Sequence, residues 1–235
     1  MKFDSETAWV DAVASLWRDR LRLKPDLRMC LPSGHTPNPI FAAMIKSVAA
    51  GQVTFRDAEV FALDEYGGLH PSDPGKCVNM LRHYLLDHVD LPSNRFHGID
   101  VDAADVDEVC RQYDQLIGSG FDLTLLGLGV NGHLGINEPG SDPNSPTRRV
   151  DLDPITTQGT TRYLTHGHLP TWGATVGLKP LLGSKEVWLM ANGPHKMEIV
   201  QRVLEGEISN QIPASLLRNH PNAWLIVDAK AGQAI

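Results

Sequence analysis

Short apolar segments alternate with longer amphipathic segments along this chain, and no other sequence feature constrains its fold as strongly. The apolar segments have the length and composition of buried strands. They lie at Leu27–Leu31, Val60–Leu63, Phe121–Leu126, Glu186–Ala191 and Ala223–Val227. The predicted helices between them lie at Pro39–Val48, Val78–His88, Val106–Ile117 and Pro194–Leu204. This alternation predicts a doubly wound α/β fold, with a mainly parallel sheet and helices on both faces.

One more helix is predicted before the first of these strands. Ser5 is a favourable N-cap for it, and the helix ends before Pro25. Its apolar side chains recur at steps of three and four residues, at Trp9, Val10, Val13, Leu16, Trp17 and Leu21. Because no Pro-, Gly- or Ser-rich linker divides the 235 residues, the segment 1–235 is predicted to form a single domain.

Composition and charge narrow the class of protein. The chain is 42% hydrophobic and 21% charged, which is typical of a globular protein. Its formal charge of −7 comes without a basic tract, which argues against a nucleic-acid partner or an anionic membrane surface. The first residues lack the apolar core of a signal peptide, and the three cysteines have no Cys-x-x-Cys spacing. We therefore expect a cytoplasmic protein with reduced thiols.

Three polar motifs stand at the ends of predicted strands. SGHTP follows the first strand, LDEYGG follows the second, and LGLGVNGHLGINEPG follows the third. Parallel sheets bind their ligands at the carboxyl ends of the strands, where the loops vary without disturbing the core. The three motifs are therefore predicted to contribute to one ligand site.

The first motif contains Ser33, Gly34, His35 and Thr36, between a predicted strand and a predicted helix. Gly34 allows a sharp turn, and the hydroxyls and free N–H groups at the helix start can hold a phosphate. The same residue types also build ordinary loops. By itself this motif leaves both interpretations open.

The second motif places Asp64 at the ligand edge of the sheet, directly after a rigid strand. Partial desolvation of a carboxylate there raises its pKa toward the range useful for taking a proton from carbon. An aspartate in this place can also cap a helix or stabilise a turn. Without other information, the sequence favours that structural role.

The third motif matches the dinucleotide-binding fingerprint formally, from Gly127 to Gly132. A true fingerprint needs a helix that begins at the glycines, and the residues that follow are too broken to form one. His133 is suited to moving hydroxyl protons, with Glu138 to orient it, although it could also be a hydrogen-bonded loop histidine. No second histidine has metal-site spacing with this pair, so no metal is predicted.

Two basic residues are candidates for phosphate contacts. Lys196 begins the helix after ANGPHK and faces the same edge of the sheet, where it can supply a point charge. Arg162 in GTTRYL can add a bidentate contact. Both could equally be solvated surface charges. Arg162 belongs to the polar segment from Arg148 to Trp172, which we interpret as a candidate lid over the site.

Taken in order, these motifs resemble the glucosamine-6-phosphate deaminase family, one branch of a group that also contains the 6-phosphogluconolactonases. The resemblance runs through SGHTP, LDEYGG, LGLGVNGHLGINEPG, ATVGLKPLL and IPASLL, and it covers nearly the whole chain. It implies a doubly wound α/β fold and an enzyme that acts on an amino-sugar phosphate without a metal or other cofactor. It also implies a monomer or small homo-oligomer, since the longer C-terminal extension of hexameric members has no counterpart here.

The resemblance implies distinct roles for the motif residues. Asp64 would remove the C2 proton of the opened sugar, and His133 would be the acid–base group of ring opening, assisted by Asn131 and Glu138. The phosphate contacts would come from Ser33, Gly34, His35, Thr36, Arg162 and Lys196. The expected reaction converts glucosamine 6-phosphate into fructose 6-phosphate and ammonia.

Departures from the family pattern define the alternatives. The segment DPGKC, which ends at Cys77, resembles galactosamine-6-phosphate deaminases, whose product is tagatose 6-phosphate. Lactonases carry arginine at the position of Tyr66 and aspartate at that of Asn131, and they lack the Asn-Glu-Pro continuation. Asn131 also differs from the aspartate of other deaminases. A non-catalytic sugar-phosphate sensor is disfavoured, because it would need neither Asp64 nor His133.

Overall fold

The computed structural model describes residues 1–165, 168–233 and 235. Within these residues the strands are β1 (Lys2–Phe3), β2 (Arg28–Leu31), β3 (Glu59–Ala62), β4 (Asp64–Tyr66), β5 (Phe96–His97), β6 (Leu123–Gly127), β7 (Arg148–Asp151), β8 (Trp172–Thr175), β9 (Val187–Ala191) and β10 (Ala223–Asp228). The helices are α1 (Glu6–Leu23), α2 (Asn38–Ala49), α3 (Cys77–Tyr84), α4 (Val106–Ile117), α5 (Pro154–Thr160), α6 (Leu178–Leu182) and α7 (Met197–Glu205).

The main sheet contains seven strands in the order β1-β10-β9-β6-β2-β3-β5. Every neighbouring pair in it is parallel. Its five longer strands coincide with the five predicted apolar segments to within two residues at either end. The edge strands β1 and β5 have only two residues each, too few for periodicity to reveal them.

Alternate residues of the central strands face two separate hydrophobic clusters. On β2, Met29 and Leu31 point into the cluster that also holds Trp9 and Trp17 of α1. Cys30 points into the other cluster, with side chains of α4 and α7. The period of two follows from strand geometry. Burial on both faces confirms the predicted α/β fold, with helices covering both sides of the sheet.

A small antiparallel sheet, in the order β4-β8-β7, lies beside the main one. Its strand β4 begins directly after β3, so the chain continues in extended form past the predicted end of the strand. Asp64 is the first residue of β4 and is paired with Thr175 of β8. The polar sequence DEY carries no apolar pattern, which is why the sequence did not predict this strand.

The predicted lid segment contains β7, α5 and the start of β8. Residues 166 and 167, which belong to this segment, lie outside the described residues. In the part of the chain that the structure describes, no helix has both the length and the apolar character needed to cross a bilayer.

Candidate functional site

Loops from four adjacent strands of the main sheet, β9, β6, β2 and β3, converge at the carboxyl edge on a cavity of about 410 Å³. Most of the predicted site residues line it, namely Ser33, Gly34, His35, Thr36, Asp64, His133, Arg162 and Lys196. Asn131 and Glu138 do not line the cavity, but both contact His133, which does. The structure therefore brings the three sequence motifs together as predicted.

Asp64 enters this cavity from the first position of β4 and is only 8% exposed. Burial raises the pKa of its carboxyl to about 6, although hydrogen bonding with Cys77 and the charge of His133 act in the opposite direction. At neutral pH the group is therefore a carboxylate, with a proton affinity well above that of an ordinary aspartate. This is the property required of a base that takes a proton from carbon.

The neighbouring residue Glu65 has a different role. Its carboxylate is buried and accepts hydrogen bonds from the backbone N–H groups of Cys77 (2.8 Å) and Val78 (2.9 Å) at the start of α3, and from Tyr66 N–H (2.8 Å). Glu65 therefore caps the start of α3, which is the structural role that the sequence left open for Asp64.

The burial of Asp64 has a measurable cost in stability. Its pKa is about 6 in the folded protein against 3.8 for an ordinary aspartate, so folding disfavours its ionised form by about 3 kcal/mol. This destabilisation is largely absent below pH 4, where the carboxyl is protonated in both the folded and the unfolded state, and it is complete above pH 6, where the carboxyl is ionised in both. We expect Asp64→Asn to raise the free energy of unfolding at pH 7.5 by up to that amount and to have much less effect at pH 4, as measured by urea denaturation.

Asp122→Asn is the matched control with the opposite sign. Burial acts to raise the pKa of Asp122, but ion pairs with Lys185 and Lys24 outweigh it and lower the pKa to about 2. Its replacement should therefore destabilise the protein at pH 7.5. If Asp64→Asn also destabilised the protein at pH 7.5, the assignment of a desolvated carboxylate at that position would be contradicted.

His133, Glu138 and Asn131 form a hydrogen-bonded group. Glu138 Oε2 lies 3.3 Å from His133 Nδ1 and accepts a hydrogen bond from Asn131 Nδ2 at 3.0 Å. Asn131 Oδ1 accepts the backbone N–H of His133 at 3.2 Å. Asn131 therefore orients the glutamate and the loop, and the carboxylate of Glu138 is the group that faces the imidazole.

The electrostatics of this group favour an ionised glutamate. Burial acts to raise the pKa of Glu138, but His133, Thr156 and Asn131 outweigh it and hold the pKa below the usual value. A carboxylate beside Nδ1 favours a proton on that nitrogen and leaves Nε2 as the exchangeable site. Gly129 makes room for the ring, since a Cβ there would lie 2.3 Å from an imidazole carbon.

The basic end of the cavity is formed by four side chains, those of His35, Arg162, His195 and Lys196. Lys196 is 9% exposed, and its ammonium donates a hydrogen bond of 2.5 Å to Leu128 O. Burial and the charge of Arg162 lower its pKa to about 8. The same two causes, burial first, lower the pKa of His35. For His195, burial, Lys196 and Arg162 lower the pKa. Such mutually unfavourable basic groups are suited to binding an anion, which would relieve their repulsion.

The SGHTP loop lies against this basic region. Gly34 has φ +93°, a conformation that favours glycine, and a Cβ there would lie 3.2 Å from the Tyr163 hydroxyl. The same hydroxyl accepts a hydrogen bond from the backbone N–H of His35 at 3.3 Å, and the His35 and Tyr163 rings are in contact at a tilt of 35°, with centroids 4.7 Å apart. Tyr163 therefore closes one side of the predicted phosphate loop.

Several residues that line the cavity were not predicted from the sequence. They are Tyr66, Met80, Ile155, Thr156, Tyr163, Asn192 and His195, among others. The positions of Tyr163 and His195, next to Arg162 and Lys196, were an available signal. Thr156, whose hydroxyl lies 3.2 Å from His133 Nδ1, gave none, because it belongs to a polar helix with no motif.

Among the described residues, no group of three or more His, Cys, Asp or Glu side chains is arranged to hold a metal ion. As predicted, none of the described helices begins at the glycines after β6, and the next described helix along the chain is α5. The formal dinucleotide fingerprint therefore lacks its structural context.

These features define a class: an α/β protein with carboxylate, imidazole and basic side chains around one cavity at the carboxyl edge of a parallel sheet. The model of the glucosamine-6-phosphate isomerase/6-phosphogluconolactonase family matches residues 4–226. The chain belongs to this family, as the sequence motifs predicted.

Similar proteins support the assignment. A glucosamine-6-phosphate deaminase of Bacillus pumilus is 35% identical over 97% of this chain and 96% of its own length. A glucosamine-6-phosphate deaminase of Rhodopirellula baltica is 35% identical over 95% of this chain and 90% of its own length. The solved structure of a monomeric glucosamine-6-phosphate deaminase is 32% identical, with a TM-score of 0.96 over 100% of this chain and 99% of its own.

The lactonase branch shares the fold. The 6-phosphogluconolactonase of Trypanosoma brucei aligns over 100% of this chain and 97% of its own, with a TM-score of 0.80 and 17% identity. At that identity the similarity establishes the architecture alone. The choice between deamination and lactone hydrolysis therefore rests on the deaminase relatives and on the site residues.

Proposed function

We propose that this protein is an isomerising deaminase that converts glucosamine 6-phosphate into fructose 6-phosphate and ammonia. The observation that carries the proposal is the composition of one cavity. A buried carboxylate with raised proton affinity, a histidine paired with a glutamate, and two basic side chains all line the same cavity of about 410 Å³, and the glutamate contacts the histidine from outside it. Hydrolysis of a lactone removes no proton from carbon, whereas isomerisation at C2 requires a base that removes one.

The phosphate occupies the basic end in this proposal. Lys196 and Arg162 supply the charge, and Ser33, Gly34, His35 and Thr36 supply loop N–H groups and hydroxyls. Fixing the phosphate there directs C1 and C2 of the sugar toward Asp64 and His133. Such positioning converts the proton transfers into steps within one complex.

His133 opens the pyranose ring. Its Nε2 takes the proton of the anomeric hydroxyl and delivers a proton to the ring oxygen, which releases the aldehyde. Glu138 stabilises the transient imidazolium across the 3.3 Å contact with Nδ1. The hydrogen bond from Asn131 Nδ2 keeps Glu138 in place during this step.

Asp64 then acts on carbon. It removes the C2 proton, which the adjacent aldehyde makes acidic, and an enolamine forms as the aldehyde oxygen takes up a proton that the ammonium group of the substrate gives up. It returns a proton to C1, which leaves an imine at C2. Water adds to this imine, and ammonia leaves as the ketose forms. A proton acceptor with a pKa of about 6 can both take and return the proton near neutral pH.

The role of Lys196 makes a prediction about pH. Since its pKa is about 8 in the free protein, raising the pH through 8 removes the charge and should raise KM for the sugar phosphate. Lys196→Met should raise KM at pH 7 by about 10-fold to 100-fold and abolish the alkaline rise. KM measured from pH 6.5 to 9.5 checks both expectations. The control is Lys46→Met, an exposed lysine of α2 that does not line the cavity; equal KM values for the two variants would refute the role of Lys196.

Three parallel assays test the proposed reaction. The purified protein is incubated with glucosamine 6-phosphate, galactosamine 6-phosphate and 6-phosphogluconolactone, and ammonia and acid release are followed. We expect ammonia from the glucosamine compound. The DPGKC segment specifically favours the galactosamine epimer as the second candidate, and a higher kcat/KM for it would reassign the substrate. Lactone hydrolysis without ammonia release would overturn the proposal.

We also propose that the protein is a monomer or small oligomer, as in the similar deaminase whose structure is monomeric. The cytoplasmic location remains a prediction from the sequence. The three cysteines are free and buried, in keeping with the predicted reduced thiols.

A further inference from the structure

The short helix α5 buries polar side chains and exposes an apolar one. Thr156 is 8% and Thr160 1% exposed, whereas Ile155 is 54% exposed. A surface helix normally turns its apolar side chains toward the core. The inward face of α5 therefore carries hydroxyl groups where packing alone would favour aliphatic side chains.

The two buried hydroxyls find their hydrogen-bond partners in different ways. The hydroxyl of Thr160 donates to Thr157 O at 2.7 Å, within the same helix. The hydroxyl of Thr156 lies 3.2 Å from His133 Nδ1 and forms its hydrogen bond outside the helix. Because a buried hydroxyl is costly without a partner, the imidazole explains why a threonine is tolerated at position 156.

The imidazole of His133 is held at one nitrogen by two oxygens. Nδ1 lies 3.2 Å from Thr156 Oγ1 and 3.3 Å from Glu138 Oε2, so the N–H of this nitrogen can be shared between them. Glu138 belongs to the loop after β6, whereas Thr156 belongs to α5. The torsion that turns a histidine ring is intrinsically broad, and two contacts at Nδ1 restrict it more than one does.

The start of α5 is fixed by contacts that do not involve His133. Leu152 N–H donates to Thr171 O at 2.9 Å, which continues the antiparallel pairing of β7 with β8. Asp153 then caps the helix, since its carboxylate accepts the N–H of Ile155 at 2.8 Å. The small sheet and this cap therefore set the position of Thr156, and its hydroxyl can orient the imidazole.

We propose that Thr156 is a positioning residue: its hydroxyl oxygen accepts a hydrogen bond from His133 Nδ1 and keeps Nε2 as the nitrogen that exchanges protons with the sugar. In this arrangement Glu138 supplies charge at Nδ1, and Thr156 supplies direction without charge. The inference rests on the proposed function, because it assigns a second partner to the histidine of ring opening.

The kinetic test compares Thr156→Val with Thr156→Ser. Valine keeps the branched shape and removes the hydroxyl, so kcat should fall by about 3-fold to 10-fold, the effect of losing one hydrogen bond. KM should change little, because Thr156 does not belong to the basic end. Serine keeps the hydroxyl and should retain most of kcat. The control is Thr157→Val on the same helix, whose hydroxyl donates to Pro170 O and does not line the cavity; its kcat should match the wild type.

An isotope effect shows which step is impaired. Ring opening precedes cleavage of the C2–H bond, so a loss of imidazole orientation makes the earlier step slower. The primary isotope effect with C2-deuterated substrate should therefore be smaller in Thr156→Val than in the wild type. A general disturbance of the site would slow both steps and leave the effect unchanged.

Three kinetic results would each overturn the inference in an active enzyme. They are a kcat of Thr156→Val equal to that of Thr157→Val, a serine variant as impaired as the valine variant, and an undiminished isotope effect. Ammonia release by the wild type is measured first. A wild type that releases no ammonia overturns the proposed function itself, and the inference with it.

Nitrogen-15 NMR of the imidazole tests the contact without turnover. The signals of His133 are assigned by their loss in His133→Gln. We expect the Nδ1 signal to shift in Thr156→Val and to keep its wild-type position in Thr157→Val. If the Nδ1 signal of Thr156→Val coincided with that of the wild type, the hydroxyl would not bind the imidazole, and the inference would be wrong even in an active enzyme.

Discussion

Replacement of Asp64 with asparagine is expected to lower kcat by about 10²-fold to 10⁴-fold, the usual contribution of a well-placed general base. The amide keeps the size of the side chain and loses its basicity. Because Asp64 does not belong to the basic end that holds the phosphate, KM should change little. The exposed residue Asp107 on α4 provides the control, since Asp107→Asn should leave kcat unchanged.

Exchange of the C2 proton with solvent separates this role from a general loss of fold. The Asp64→Asn protein should bind the sugar phosphate but show no exchange of the C2 proton into deuterated water, as followed by proton NMR. Exchange at the wild-type rate in this variant would remove Asp64 from its proposed role.

Replacement of His133 with glutamine should also lower kcat by about 10²-fold to 10⁴-fold, for a different reason. Without the imidazole, ring opening becomes the slow step, and the C2–H bond breaks after it. The primary isotope effect measured with C2-deuterated substrate should therefore fall toward unity in His133→Gln. In Asp64→Asn the effect should persist or increase.

Glu138→Gln should impair the same step as His133→Gln, but to a smaller extent. It keeps the side chain that faces Nδ1 but removes the charge that stabilises the imidazolium, so a smaller loss of kcat is expected than in His133→Gln. A slow His133→Gln protein with an undiminished isotope effect would show that the histidine does not act in ring opening.

The sequence predicted the strands that are buried on both faces of the main sheet. Strands such as β2 and β9 are covered on both faces, and their apolar runs reveal them. The small sheet was missed because β4 and β7 have the polar sequences DEY and RRVD, whose pairing depends on partners far along the chain. Non-local pairing of this kind leaves no periodic signal.

The adjacent carboxylates of Asp64 and Glu65 illustrate the same limit at the site. Their side chains have the same chemistry and differ by one residue, and only the alternation along β4 separates them. Asp64 and Tyr66 line the cavity, whereas Glu65 points to the start of α3. The family resemblance assigned the base to Asp64, and the strand supplies the geometric reason why Glu65 has a structural role instead.

The most direct test of the account is the product of a single reaction. Purified protein is incubated with glucosamine 6-phosphate in the absence of added metal, and ammonia and ketose are quantified together. The proposed reaction gives equimolar ammonia and fructose 6-phosphate, and both should be lost in Asp64→Asn. A wild-type protein that hydrolyses 6-phosphogluconolactone and releases no ammonia from the amino sugar would contradict it.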